Sequence, residues 1–358
     1  MALTLLQLAL LVDAAGSLRL RELSIALFII ARFPKFFNNE QRYKVVSILI
    51  LIAMLTSLTA SIIISTSYVA DIWQALSWLI FLPFVLTLFS FSITLKGDLE
   101  KLVDAGVIFA IIIIFLSILV HSFSDTGKFF IDAYFSQLLS FKNQKEVYGV
   151  NIHVVYFQST LALVPLGVLA LLQRRRIAYF IILIALIVAP SRYGSTLLLL
   201  FPLLFMANNR IKLLENPKYR ALMILFSAAM GFVIPIIASE NVRLLHLESI
   251  SRIFDENLWA AVLGMGPGSE FYSLGFQKQT TDIELTHYEI IRKYGVMLYI
   301  ILFMAAVQQV IKKDRIHITW ILSSIYITYT MNPGMLSLSS ALLWFVVVSN
   351  KNEKIYAK

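Results

Sequence analysis

Cysteine is absent from the 358-residue chain. Disulfides, thiolate nucleophiles and cysteine-ligated metal centres are therefore excluded. Charge is nearly as scarce: Asp, Glu, Lys and Arg together make up 14% of the residues, where soluble domains carry roughly a quarter. The five histidines are scattered, and no Asp/Glu/His spacing resembles a metal site. No Ser-His-Asp arrangement and no phosphate-cradling loop stands out. The glycines of Gly264-Met-Gly-Pro-Gly268 are not a dinucleotide fingerprint, because no strand precedes them and the spacing is wrong. Met1–Ser17 has a short apolar run without a basic leader, so no cleaved signal peptide is expected.

What the chain has instead is hydrophobicity: 59% apolar residues and a mean hydropathy of +0.81. The apolar residues fall in long blocks at 44–65, 70–94, 101–121, 152–173, 177–190, 193–208, 219–237, 288–311, 316–331 and 335–350. Two shorter runs, Leu3–Val12 and Leu23–Ile30, read as a first hairpin. Several blocks fall short of the ~20 residues of a perpendicular span, so flanking residues must extend them or the bilayer thins locally. The expected fold class is all-α: one polytopic transmembrane helical bundle over residues 1–358, with about 12 spans (range 10 to 12).

The formal net charge of +9 does not point to nucleic acid, because the Lys and Arg residues sit between apolar blocks rather than along one face. Topology explains them. Arg174, Arg175 and Arg176 form an undiluted basic turn, expected to be cytoplasmic. Counting outward in alternate loops, 19 of the 30 basic residues fall on that same side, and both termini with them. Arg19 and Arg21 go against this pattern. Two loops on the opposite side are long, 122–150 and 239–286. The second holds three basic against seven acidic residues and the aromatics Phe254, Trp259, Phe271, Tyr272 and Phe276. A loop that long implies a function. Within it Val242–Val262 has helical periodicity, which the glycine-proline cluster breaks.

Three local features could carry chemistry. Arg192 follows Pro190–Ser191 directly, at the outer boundary of a span, where a charge is either snorkelling or functional. Arg252 lies on the loop's helical stretch, ahead of the turn through Gly264, Gly266 and Gly268 that could bring backbone close to a ligand. The run from Glu284 through His287, Tyr288, Glu289, Arg292 and Lys293 to Gly295 then enters the next span. Glu289 reaches Arg292 at i+3 and Lys293 at i+4, so part of this cluster can neutralise itself.

This order resembles the Wzy-type O-antigen polymerases and the related O-antigen ligases. The resemblance runs from about residue 151 to the last span. It rests on Pro-Ser-Arg192, on Ser-Arg252 followed by Trp259 and Gly264-Met-Gly-Pro-Gly268, and on Glu284 to Gly295. Arg252 and Gly268 are separated by fifteen residues, similar to the R-x15-G motif of such polymerases. In the ligases a histidine stands eleven positions before the glycine matching Gly295; here that position is Glu284, with His287 three residues later. This departure favours polymerase over ligase. The resemblance implies a GT-C-like architecture in a bacterial inner membrane, with loops 122–150 and 239–286 in the periplasm. It implies metal-independent glycosyl transfer from an undecaprenyl-pyrophosphate-linked oligosaccharide, with no cofactor and with a chain-length regulator as a candidate partner. In that frame Arg192 and Arg252 stabilise the pyrophosphate, and Glu284 or His287 is the base. Arg292, Trp259, Gly266, Gly268 and Tyr288 bind substrate. A lipid-linked oligosaccharide flippase is the alternative of another class.

Overall fold

A computed structural model describes residues 2–13, 18, 20–36, 52, 55, 98–122, 141–147, 150–157, 159–189, 191–237, 241–266, 269–280, 285–312, 315–330 and 338–349. The blocks at 44–65 and 70–94 therefore lie outside the described residues. The described chain is mostly helical, with two small antiparallel hairpins, and it divides into two compact units. Four helices are long and apolar enough to cross a membrane: Asp98–Val120, Tyr193–Ile211, Pro217–Ile237 and Thr286–Val310.

The first unit holds residues 1–34, 94–214 and 337–358. Helix α1 (Ala2–Val12) and helix α2 (Leu20–Phe36) cover the two short N-terminal apolar runs. Buried Asp13 stabilises the turn between them, accepting from the backbone N–H of Leu18 at 3.2 Å and of Leu20 at 3.0 Å. The 11 residues of α1 are too few to cross a bilayer upright, which needs about 20. Helix α3 (Asp98–Ser122) is the centre of the unit and packs against its neighbours on several sides. Strands β1 (Phe141–Val147) and β2 (Val150–Phe157) pair antiparallel. Short helices α4 (Leu163–Leu172) and α5 (Arg176–Val188), the long α6 (Arg192–Ile211) and the terminal α12 (Leu338–Ser349) complete it.

The block 152–173, expected as one span, is instead the end of β2 followed by α4. Val150, Ile152, Val154 and Val155 are β-branched and suit a strand better than a helix. Inside lipid, apolar burial cannot by itself hold helices together, so close packing at small residues must. Gly106 of α3 meets Leu166, and Gly167 of α4 meets Leu198 of α6; a β-carbon at Gly167 would stand 2.8 Å from the Leu198 methyls. The triple-arginine turn folds onto the start of α3, where Arg175 pairs with Asp104 at 2.6 Å and donates to the Glu100 carbonyl at 3.2 Å. The triple-arginine turn and the start of α3 thus lie at one end of this unit.

The second unit holds residues 35–93 and 215–336. Its described elements are α7 (Pro217–Ile237), α8 (Asn241–Glu256), α9 (Leu258–Leu263), β3 (Phe271–Ser273), β4 (Lys278–Thr280), α10 (Thr286–Val310) and α11 (Ile316–Thr328). Helices α7, α10 and α11 pack together. At one end Arg220 donates to the Lys312 carbonyl at 3.0 Å, joining the basic starts of α7 and α11. The long loop 239–286 leaves from the other end, after Ile237, and returns at Thr286. It is partly helical, as expected, and the hairpin β3–β4 follows its two helices.

Candidate functional site

Asn257 divides the loop's helical stretch in two. Its side chain accepts the backbone N–H of Trp259 at 3.1 Å and so caps α9. Helix α9 ends at Gly264, whose φ of +85° a side-chain-bearing residue rarely adopts. The next backbone N–H groups leave the loop altogether: Met265 donates to the Arg292 carbonyl at 2.7 Å and Gly266 to the Lys293 carbonyl at 2.9 Å.

Both carbonyls belong to the stretch of α10 that leads into a break. Gly295 has φ +81° and ψ 160°, outside the helical region. Gly264 and Gly295 lie face to face. A β-carbon at Gly264 would stand 2.5 Å from the Lys293 carbonyl oxygen, and one at Gly295 would fall on the Val262 carbonyl. Residues 262–266 therefore form a strap that fills the break in a helix long enough to span a membrane. Non-helical backbone at that depth is stable only when another part of the protein satisfies it.

Arg292 fixes the strap's far side and is fully buried. Its Nε donates to Glu289 Oε2 at 2.9 Å and its Nη2 to Glu289 Oε1 at 2.7 Å. Its Nη1 donates to the Ser269 carbonyl at 3.1 Å and hydroxyl at 2.9 Å. The guanidinium also lies 4.6 Å from the Phe271 ring centre. Lys293 adds a second ion pair to Glu289 at 3.0 Å. The i+3 and i+4 pairs read from the sequence exist, but they are buried rather than on a helix surface. Arg292 was expected to bind substrate phosphate. Its forked donors are committed to Glu289 and Ser269, so it is a clasp between α10 and the loop instead.

His287 is likewise buried. Its Nδ1 lies 2.8 Å from the Tyr299 hydroxyl and its Nε2 3.1 Å from the Tyr326 carbonyl. A carbonyl can only accept, so Nε2 carries the hydrogen and Nδ1 accepts from Tyr299. Phe232 stacks at an angle beside the ring at 5.3 Å, and Gly231 leaves room for it, since a β-carbon there would overlap the imidazole. A general base needs a nitrogen lone pair directed at substrate; here both nitrogens tie α10 to α11 and to Tyr299. The base role expected for His287 does not fit this arrangement. Tyr288 turns its hydroxyl to the Phe232 carbonyl at 3.3 Å, bracing α10 against α7. The N–H of Gly266 serves α10, so the close approach expected there is to protein backbone rather than to a ligand.

Arg252 and Trp259 stand apart from these buried groups. The Arg252 side chain is 62% exposed and pairs with Glu248 at 2.6 Å, one turn back on α8. Trp259 is 64% exposed. Arg192 is the first residue of α6 in the other unit, after Ser191, whose hydroxyl accepts the Gly194 N–H at 3.3 Å. Glu284 and Gly268 lie outside the described residues. Sequence reading missed Ser269 and Tyr299 and named Phe271 only among the loop aromatics, because nothing local marks the partner of a distant buried arginine or histidine. Among the described residues no group of three or more His, Cys, Asp or Glu side chains is placed to hold a metal.

The described residues are mostly helical, and four of the helices are long and apolar enough to cross a membrane. Comparison with protein-family models, with curated proteins and with solved structures gives no match to this chain.

Proposed function

We propose that the chain is a glycosyltransferase of the O-antigen polymerase type, a multi-pass bacterial inner-membrane protein of about twelve spans with a GT-C-like architecture and both termini in the cytoplasm. It extends a glycan carried on undecaprenyl pyrophosphate by joining it to one lipid-linked repeat unit in the periplasm. The observation that supports this reading most is Arg252: an exposed guanidinium on a helix of the long loop, which leaves the second unit at the end opposite its basic turns. A lipid pyrophosphate presents its charge at that level, and a guanidinium fork recognises it without a metal.

The acceptor hydroxyl oxygen attacks the donor's anomeric carbon, whose bond to the pyrophosphate oxygen breaks. The pyrophosphate leaves with the electron pair, and the hydroxyl proton passes to a base. Arg252 stabilises the leaving group. With His287 engaged on both nitrogens, Glu284 is the base of this reading. Exposed Trp259 and Tyr272 flank the entry of the sugar-bearing lipid. A chain-length regulator is the partner the reading admits. A ligase would use the same arginine and differ only in its acceptor, lipid A-core.

The test is reconstitution of the pure protein with undecaprenyl-linked repeat units in the presence of a chelator. Wild-type protein should lengthen the glycan; Arg252→Ala should abolish extension at normal abundance. Extension by Arg252→Ala at the wild-type rate overturns the site, and absence of extension by wild type overturns the reaction. The break in α10 beside three charged residues is also a feature of transporters with discontinuous helices. If wild-type protein moves the lipid across the bilayer without lengthening its glycan, transport is the function.

A further inference from the structure

Helix α10 carries its own depth marker. Glu289, Arg292 and Lys293 lie in its first turns, and from Tyr294 to Val310 it has no charged residue. At 1.5 Å per residue that charge-free stretch is about 26 Å long, close to the roughly 30 Å hydrocarbon thickness of a bilayer. The boundary between headgroups and acyl chains therefore lies near Lys293. The strap of residues 262–266 is hydrogen-bonded to Arg292 and Lys293, so the end of α9 sits at that boundary.

Exposed surface changes character on either side of Asn257. On α8 the exposed residues toward its end are Glu248, Ser251, Arg252, Asp255 and Glu256, which suit water. On α9 they are Leu258, 73% exposed, and Trp259, 64% exposed. Two large apolar side chains left bare beside a polar helix need a partner. Leaving a leucine or tryptophan in water rather than burying it is unfavourable. Tryptophan in particular settles at the headgroup level, where its ring is apolar and its N–H stays wet.

We infer that Leu258 and Trp259 are seated in the lipid bilayer at its headgroup–acyl boundary, so that the chain passes from water into membrane at Asn257. The occupant of this face is lipid, because α9 is held against a spanning helix at the depth where that helix's charge-free stretch begins. The seating holds whatever reaction the protein performs. It places the Arg252 helix at the headgroups, with its charged face toward water, and fixes it from below.

The natural absence of cysteine makes the test direct. Leu258→Cys and Glu256→Cys are placed singly in the full chain, reconstituted in lipid nanodiscs, and labelled with a membrane-impermeant charged maleimide. Glu256→Cys should label at the rate of a water-exposed thiol. Leu258→Cys should label at least about tenfold more slowly and regain speed when the same protein is moved from nanodiscs into a small-headgroup detergent. As a second reading, emission of the wild-type protein in nanodiscs should be quenched by lipids brominated near the headgroup, and a Trp259→Phe variant should lose that component. Equal labelling of the two cysteines in nanodiscs, or quenching of the Trp259 component by aqueous iodide but not by brominated lipid, overturns the inference.

Discussion

Gly295→Ala is the most informative single change. The backbone there, at φ +81° and ψ 160°, lies in a region essentially reserved for glycine, and forcing alanine into it costs about 1–3 kcal/mol. The new methyl would also fall on the Val262 carbonyl, so the strap must retreat. Retreat breaks the bonds from Met265 to Arg292 and from Gly266 to Lys293, each contributing about 1 kcal/mol. The sum is a loss of about 3–5 kcal/mol, a large share of the roughly 5–15 kcal/mol that holds a folded domain. Gly106→Ala is the control: its methyl meets the flexible Leu166 side chain at 3.0 Å, and alanine gains up to about 1 kcal/mol of helix propensity. Intrinsic tryptophan fluorescence during heating in detergent, at one fixed scan rate because unfolding is irreversible, ranks the variants. Gly295→Ala should melt far below wild type and Gly106→Ala close to it. If Gly295→Ala melts with wild type, the break is not locked by the strap and the reasoning fails.

Three further outcomes follow from side chains of α10 and its C-terminal end. Glu289→Gln leaves the Arg292 guanidinium buried without its carboxylate and should cost about 3–5 kcal/mol, whereas Glu289→Met with Arg292→Met together should recover part of that loss in the same melting assay. His287→Phe removes one bond accepted from Tyr299 and one donated to the Tyr326 carbonyl, a loss of about 2 kcal/mol; equal stability would mean the ring does not tie α10 to α11. Lys312 donates to Gln309 at 2.9 Å, and burial, then the neighbouring Arg315, hold its ammonium below the ordinary 10.5. A folded value below the unfolded one means the charged form strains the fold. This cost is present in full below the folded value and relieved as pH rises toward 10.5. Lys312→Met should therefore flatten part of the alkaline pH dependence of the melting temperature, and an unchanged pH profile would refute it.

Local rules carried the sequence reading a fair distance. The stop at Gly264 was legible because a glycine-proline cluster ends a periodic apolar stretch, and the Glu289 pairs followed from i+3 and i+4 spacing alone. Their burial was not legible, since it depends on Ser269 and Phe271 arriving from a hairpin some twenty residues upstream. The break at Gly295 was hidden for a related reason: the apolar pattern of the span runs straight through it, and only the strap makes the break stable. The block 152–173 shows the opposite error. Continuous hydrophobicity reads as a span, yet its first part is β-branched and pairs as a strand. Of the candidate site, the exposure of Arg252 followed from its place in the loop, while the burial of Arg292 and His287 did not, because type and spacing cannot separate a phosphate ligand from a clasp.

The order of the strap and the broken helix along the chain bears on biosynthesis. Residues 262–266 are made before α10, so they have already left the ribosome when Thr286–Val310 follows. When the kinked segment meets lipid, the N–H groups of Met265 and Gly266 are already at hand to take up the carbonyls of Arg292 and Lys293. Were the two segments transposed, the broken helix would be made before the strap whose N–H groups meet it. The gene order thus lets an irregular helix be inserted as a finished piece.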